Sequence, residues 1–178
     1  MNTDDSFEHI GPGVRWDAAK AAKFLGFCVE EEAMDVSKRD NFYWAVRMEG
    51  VLAGFVGLHT VRYNRAQSAA KQFFVTFLIA KPMRGRGLGK RALEAAIENF
   101  HVLLPAVGRI YADIHEGNAR SAAVLQRAGF AWAAAAGGDG RVRVQVGRKT
   151  LLRLQRVVSI AGDGEEDSGR AAKRSRVR

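Results

Sequence analysis

Residues Lys81 to Leu93 read KPMRGRGLGKRAL. Gly85, Gly87 and Gly89 fall at alternate positions, with Arg84, Arg86, Lys90 and Arg91 threaded through and after them. An apolar run ends just before this stretch, and a pattern of helical period begins within it. A helix start presents unpaired N–H groups and the positive end of the helix dipole. Glycine has no Cβ, so an oxygen-rich ligand can come close to the main chain. With cationic side chains nearby, these features read as a cradle for a pyrophosphate. The competing reading is a tight, solvated turn, but three glycines carry an entropy cost that such a turn does not require.

Two common phosphate motifs do not fit. A nucleotide P-loop needs four residues between its first glycine and a Gly-Lys pair, then Ser or Thr. Here three residues separate Gly85 from Gly89, and Arg91 follows Lys90. A dinucleotide fingerprint can be written over Gly87 to Ala92. Pro82 then lies between the strand end at Ala80 and the loop, and no acid stands between Asn99 and Pro105, where one is expected.

The elements that must position the loop follow from periodicity. WDAAKAAKFLGFCVEEEAM has helical period, with Ala18, Ala21, Ala22, Leu25 and Val29 on one face and Asp17 as cap. FYWAVRM and VLAGFVGLHTV are β-rich and separated by Glu49-Gly50, which predicts a hairpin. KQFFVTFLIA is apolar on both faces, hence a central strand. A helix is predicted from about Leu88 to Phe100, its apolar positions Leu88, Ala92, Leu93, Ala96, Ile97 and Phe100. In VGRIYADIHE, Ile110, Ala112 and Ile114 alternate with Tyr111, Asp113 and His115, as in a strand. GNARSAAVLQRAGF reads as a short helix capped by Asn118 and stopped at Gly129. FAWAAAA and TLLRLQRVV are closing strands, with RVRVQV between them; the alanine run is ambiguous because alanine prefers helix.

At its two motifs the chain resembles the GNAT superfamily of acyl-coenzyme A-dependent N-acetyltransferases. Arg84-Gly85-Arg86-Gly87-Leu88-Gly89 is similar to that family's Arg/Gln-x-x-Gly-x-Gly/Ala signature. Asn118 to Phe130 is similar to its Asn-x-x-Ser/Ala…Gly-Phe helix, in the form found in the branch that acetylates N-terminal amines of ribosomal proteins. The resemblance is concentrated between about Phe73 and Phe130. It implies an α+β, three-layer fold: a mixed, mostly antiparallel twisted sheet of about six or seven strands with flanking helices. It also implies a V-shaped splay between the central strands that end near Ala80 and His115. Acetyl-CoA would be the co-substrate. The backbone of Phe77, Leu78 and Ile79 would pair with pantetheine, the amides from Gly85 through Arg86, Gly87, Leu88 and Gly89 to Lys90 would hold the pyrophosphate beside Arg84, and Asn118 and Ser121 would contact the pantetheine.

The chemistry implied is acetyl transfer to a primary amine of a protein N-terminus, a lysine, a polyamine or a small molecule. The amine must lose a proton, the departing thiolate must gain one, and the tetrahedral oxyanion needs a fixed donor, such as a strand-end amide near Ile79. Many family members use a tyrosine acid seven residues after the asparagine; here that position is Leu125. In the branch that Asn118-x-x-Ser121 resembles, the serine has the better claim, so the resemblance implies Ser121 as the candidate acid; the competing reading is a first-turn hydroxyl bonded to its own helix. Asp113 aligns with an acidic position that some relatives use as base, with His115 and Glu116 as alternatives. Glu30, Glu31, Glu32 and Asp35 form an acidic run that either draws in a cationic amine or is a solvated helix face. Gly137 to Gly140 read as a mobile loop beside the acceptor.

Composition bounds the rest. The chain has 178 residues, enough for one domain with its own core, placed at 1–160 with a disordered charged tail at 161–178. The net charge of +9 favours an anionic partner, and a phosphate-bearing coenzyme is one. The tail holds both acids and bases in near balance, so most of this charge lies in the body. KRSRVR within it reads as nuclear-import or nucleic-acid-binding sequence, or as a solvated terminus. No apolar run is long enough for a membrane span, and the polar start is unlike a secretory signal, so a cytoplasmic protein is expected, nuclear if the tail is an import signal. The single cysteine, Cys28, sits among apolar residues and is read as core; four histidines without ligand spacing predict no metal. The alternatives are a non-catalytic acyl-CoA sensor, which Leu125 permits, and a basic nucleic-acid-binding protein. The oligomeric state is not legible.

Overall fold

Glu49 and Gly50 both take positive φ, 52° and 78°, the geometry that a two-residue hairpin turn requires. They join β1 (Asn41–Met48) to β2 (Val51–Thr60) as the sequence predicts. The computed structural model describes residues 18–60, 71–134, 140–146 and 149–158. Asp17, most of the Gly137–Gly140 loop, the 160 boundary and the tail lie outside the described residues.

The further strands are β3 (Phe73–Ile79), β4 (Arg109–His115), β5 (Ala131–Trp132), β6 (Arg143–Val146) and β7 (Lys149–Val157). They form one seven-stranded sheet ordered β1-β2-β3-β4-β7-β5, with β6 also on β7. Every pairing is antiparallel except β3 with β4, which is parallel. The alanine run resolves as the two-residue β5, followed by an isolated bridge from Ala134 to Arg141.

Three helices flank the sheet: α1 (Ala18–Ala33), α2 (Leu88–Leu103) and α3 (Ala119–Arg127). The buried positions of α2 are Leu88, Leu93, Ala96, Ile97 and Phe100, the expected apolar set with Ala92 partly covered. Phe100 is the pivot, edge-on to Phe73 at 4.8 Å between centroids and to Phe42 at 5.1 Å. Alternation along β1 and β2 then sends Tyr43 and Phe55 to the other face, where Phe24 of α1 meets them at 5.1 and 6.0 Å.

The expected face of α1 is the wrong one. Leu25 and Val29 are 63% and 69% exposed, Ala22 is exposed, and the helix turns Phe24, Cys28 and Glu31 to the sheet. Alanine-rich sequence carries a helical period but weak phase information. The phase is set by the Phe24 ring and by Glu31, whose buried carboxylate accepts from the Asp40 and Asn41 N–H groups at 3.2 and 2.9 Å and anchors the start of β1.

His59 lies half-buried on β2, and desolvation holds its imidazole below the usual histidine range. Protonation is therefore disfavoured by the fold. The associated stability is present above the unfolded pKa of about 6.5 and is lost as pH falls through the lowered folded value. Thermal melts of wild type and His59→Gln across about pH 7.5 to 5 are expected to diverge below about pH 6.5, the wild type losing more. Parallel curves would contradict it.

Candidate active site

β3 and β4 pair only at Phe73 with Ile110 and Phe74 with Tyr111. Beyond that, Val75–Ile79 keeps only β2 and Ala112–His115 only β7. The two strands diverge, and the inner edge of β3 faces a gap. Ala80 N–H donates to the Ala53 carbonyl at 2.8 Å, which makes Gly54 and Ile79 a non-hydrogen-bonded pair. By alternation, Leu78 turns its backbone groups to β2, whereas Phe77 and Ile79 turn theirs to the gap. Of the three residues expected to pair with an extended ligand, the first and third are so placed and Leu78 is not. Ile79 contributes its N–H alone, since its carbonyl accepts from Arg84 Nε at 2.9 Å.

That bond ties Arg84, and with it the glycine loop, to the end of β3. A single-turn 3-10 helix, Lys81–Met83, then leads into the loop. Gly85 and Gly87 take φ of 77° and 73°, in the left-handed region. A Cβ built on either would meet nothing within 4 Å, so both open into space. Gly87 is the N-cap of α2 and no side chain caps this helix start. Gly89 serves packing instead. A Cβ there would sit 3.1 Å from Val124 Cγ1, so its bare backbone lets α2 and α3 approach each other. Lys90 Nζ is paired with Glu94 at 2.9 Å, and Arg86 and Arg91 are exposed.

α3 packs against the start of α2 through Val124. Asn118 is its N-cap, with Oδ1 accepting from the Ser121 N–H at 3.1 Å. Ser121 is half-buried, and among the described residues its hydroxyl has no hydrogen-bond partner. Leu125 is fully buried in the core, which accounts for an apolar residue there. Gly129 ends the helix at φ 83°.

Asp113 lies on the face opposite α2 with Tyr111 and His115, but it is not an unengaged carboxylate. Arg153 Nε and Nη2 donate to its two oxygens, each at 2.8 Å, and the side chains are only 10% and 18% exposed. The guanidinium also lies over Phe74 at 4.9 Å and Tyr111 at 5.6 Å. Both carboxylate oxygens are thus taken by Arg153, which sets Asp113 in a structural ion pair across the β4–β7 seam. Arg153 escaped sequence reasoning because only the β4–β7 register brings it opposite Asp113. Glu116 pairs with Arg143 at 3.4 Å. In the acidic run, Glu31 holds backbone, Glu32 pairs with Arg39 at 3.0 Å and Asp35 accepts from the Ser37 N–H at 2.9 Å. Tyr43, packed between α1 and β2, has its phenol pushed up to about 12, mainly by burial.

The site is thus a gap between diverging strands, with the gap-facing residues Phe77 and Ile79 on one wall and a helix start behind left-handed glycines at its mouth. An extended ligand ending in a diphosphate fits it. Among the described residues no cluster suits a metal ion, and no helix is long and apolar enough to cross a membrane.

A family model described as "Acetyltransferase (GNAT) domain" matches residues 1–131. A probable spermine N(1)-acetyltransferase of Bacillus subtilis subsp. natto (strain BEST195) is 33% identical over 107 residues, 58% of this chain. The match spans 66% of that relative's length. A ribosomal-protein-alanine N-acetyltransferase from Brucella melitensis shares the fold at TM-score 0.63 and 20% identity, covering 86% of this chain and 88% of that one. The microcin C7 self-immunity acetyltransferase MccE, solved with acetyl-CoA and AMP, does so at TM-score 0.65 and 11% identity, covering 86% and 79%.

Proposed function

The chain belongs to the GNAT acetyltransferase family, and from that premise we propose that it moves an acetyl group from acetyl-CoA to a primary amine, with a peptide N-terminus as the preferred acceptor. The observation that carries the reading is the joining of the splayed β3–β4 edge to the left-handed Gly85–Gly87 loop at the start of α2. A side chain at either glycine would enter the space that a diphosphate needs.

Acetyl-CoA supplies the activated thioester. The N–H groups from Gly85 to Lys90 hold the diphosphate, aided by the positive end of α2 and by the exposed Arg86 and Arg91. Phe77 and Ile79 offer main-chain groups to the pantetheine arm. Asn118 has its oxygen committed to the helix, so its Nδ2 is the group left to donate. The amine nitrogen attacks the carbonyl carbon, the C–S bond breaks, and the proton shed by the amine passes to water. Ser121 Oγ gives a proton to the departing thiolate and regains one from solvent.

An α-amine, with a reference pKa near 8, reaches its neutral form more readily than a lysine near 10.4. This suits a site whose Asp113 carboxylate is held at both oxygens by Arg153. The engagement of Glu31, Glu32 and Asp35 weakens the case for a polycationic acceptor.

The test is thiol release from acetyl-CoA with three acceptors: a short peptide with an open N-terminus, an N-blocked lysine peptide and spermine. Release is expected with the first, with one acetyl group added by mass. Coenzyme binding without turnover on any amine would make the chain an acyl-CoA sensor instead. Ser121→Ala is expected to lower turnover about 100-fold while leaving coenzyme affinity within a few-fold; unchanged turnover would remove Ser121 from the reaction.

A further inference from the structure

Gly54 stands in the middle of β2, far in sequence from both motifs, in a position no other residue can fill without moving the backbone of β3. A Cβ built on it would lie 2.0 Å from the Leu78 carbonyl oxygen and 3.0 Å from that carbonyl carbon. Side-chain adjustment cannot relieve such a contact, because the obstacle is main chain. Gly54 is the direct cross-strand partner of Ile79, and residues paired this way share a face of the sheet. The Ile79 side chain lies on the α2 side, 3.9 Å from the point where a Gly89 Cβ would stand. The missing Gly54 Cβ is therefore also on the α2 side, and the Leu78 carbonyl oxygen, turned toward β2, takes the space that this Cβ would fill.

In a trans peptide the C=O and the following N–H point in opposite directions. With the Leu78 oxygen toward β2, the Ile79 N–H points away from β2, into the gap. On that side β4 has already departed. The Ile79 carbonyl is bonded to Arg84, which pins the next peptide. A bulge in β2 lies beside this contact: Val46 pairs with Gly54 but Arg47 with Leu52, so Ala53 is an extra residue next to Gly54. Its carbonyl takes the Ala80 N–H at 2.8 Å and fixes the strand end from the other side.

We propose that Gly54 is a positioning residue for acetyl transfer: by lacking a Cβ it leaves room for the Leu78 carbonyl, and so holds the Leu78–Ile79 peptide with the Ile79 N–H aimed into the cleft at the oxygen of the reacting carbonyl. The inference rests on the acetyltransferase reading given above. Gly54 touches neither co-substrate; it acts through the Leu78–Ile79 peptide, for which it leaves room.

The experiment compares Gly54→Ala with Gly57→Ala. Gly57 is three residues along the same strand, and an added Cβ there meets the movable Tyr43 ring, 2.6 Å away, rather than backbone. Both variants crowd β2 and both are expected to melt at lower temperature. Only Gly54→Ala is expected to lose kcat, by about 100-fold, the scale for losing one oxyanion donor. Its KM and calorimetric affinity for acetyl-CoA should stay within about three-fold, because the diphosphate cradle is untouched. Wild-type kcat in Gly54→Ala, a similar kcat loss in Gly57→Ala, or a loss of coenzyme affinity matching the loss of kcat would each overturn the proposal. Should Gly54→Ala not fold, wild type decides by NMR. The Ile79 amide proton is expected to move downfield with the ketone analogue of acetyl-CoA, in which methylene replaces the thioester sulfur, and not with coenzyme A alone. An Ile79 signal that responds equally to both would refute it. This readout needs binding only, so it stands even if no amine in the panel is acetylated, a result that would defeat the proposed function separately.

Discussion

Gly87→Asp is expected to raise the Kd for acetyl-CoA by more than about 100-fold, roughly 2.7 kcal/mol, while the protein stays folded. Two effects act, and their sizes decide the outcome. Gly87 sits at φ 73°, and a residue with a Cβ pays about 1 kcal/mol to stay there, aspartate less than most. Against this, the new carboxylate lies at the uncapped start of α2, where it interacts well with the helix dipole. Stability should therefore change little. Binding should not survive, since a carboxylate about 4 Å from a phosphate is repelled by roughly 4 kcal/mol at an effective dielectric near 20. Gly87→Asn separates charge from shape: it tolerates the same φ and adds no charge, so calorimetry should find a much smaller loss, about 10-fold or less. Coenzyme binding by Gly87→Asp at wild-type strength would end the case for a diphosphate cradle.

The second large effect is expected at Asp113. Removing one partner of a buried ion pair strands the other charge, so Asp113→Ala should destabilise the fold by about 3 kcal/mol, seen in urea titrations. Arg153→Ala should cost somewhat less, because a stranded carboxyl can take up a proton whereas a guanidinium cannot lose one. Asp113→Asn keeps one acceptor oxygen for Arg153 and should fall between wild type and alanine. Turnover per folded molecule is the discriminating measurement. As a structural partner, Asp113 can be replaced by Asn with kcat down by less than about ten-fold and the pH–rate profile unmoved. A profile that loses its acidic limb in Asp113→Asn would restore this residue as the base.

The fold was legible wherever local physics is strong. The Glu49-Gly50 turn, the two-sided apolar pattern of β3 and the amphipathic face of α2 each follow from short-range rules, and each stands where those rules put it. α1 failed in phase because alanine is nearly indifferent to burial, so one phenylalanine ring and one hydrogen-bonded glutamate chose the inward face. The glycine loop was legible for the same reason as the turn. Positive φ and an exposed helix start are properties of a few consecutive residues, and glycine announces them.

What the sequence by itself determined was thus everything carried by neighbours in the chain: the loop, the caps at Asn118 and Gly129, and the order of strands and helices. Tertiary structure decided the remainder. Arg153 reaches Asp113 across 40 residues of chain, Arg84 turns back to Ile79, Gly89 serves helix packing, and Gly54 yields its side-chain space to Leu78. Each depends on register or on the approach of two elements, and those distances are set by how the whole core closes. A charge or a bare Cα in a linear pattern says what a residue can do; the partner that the fold brings within 3 or 4 Å says which of those things it does.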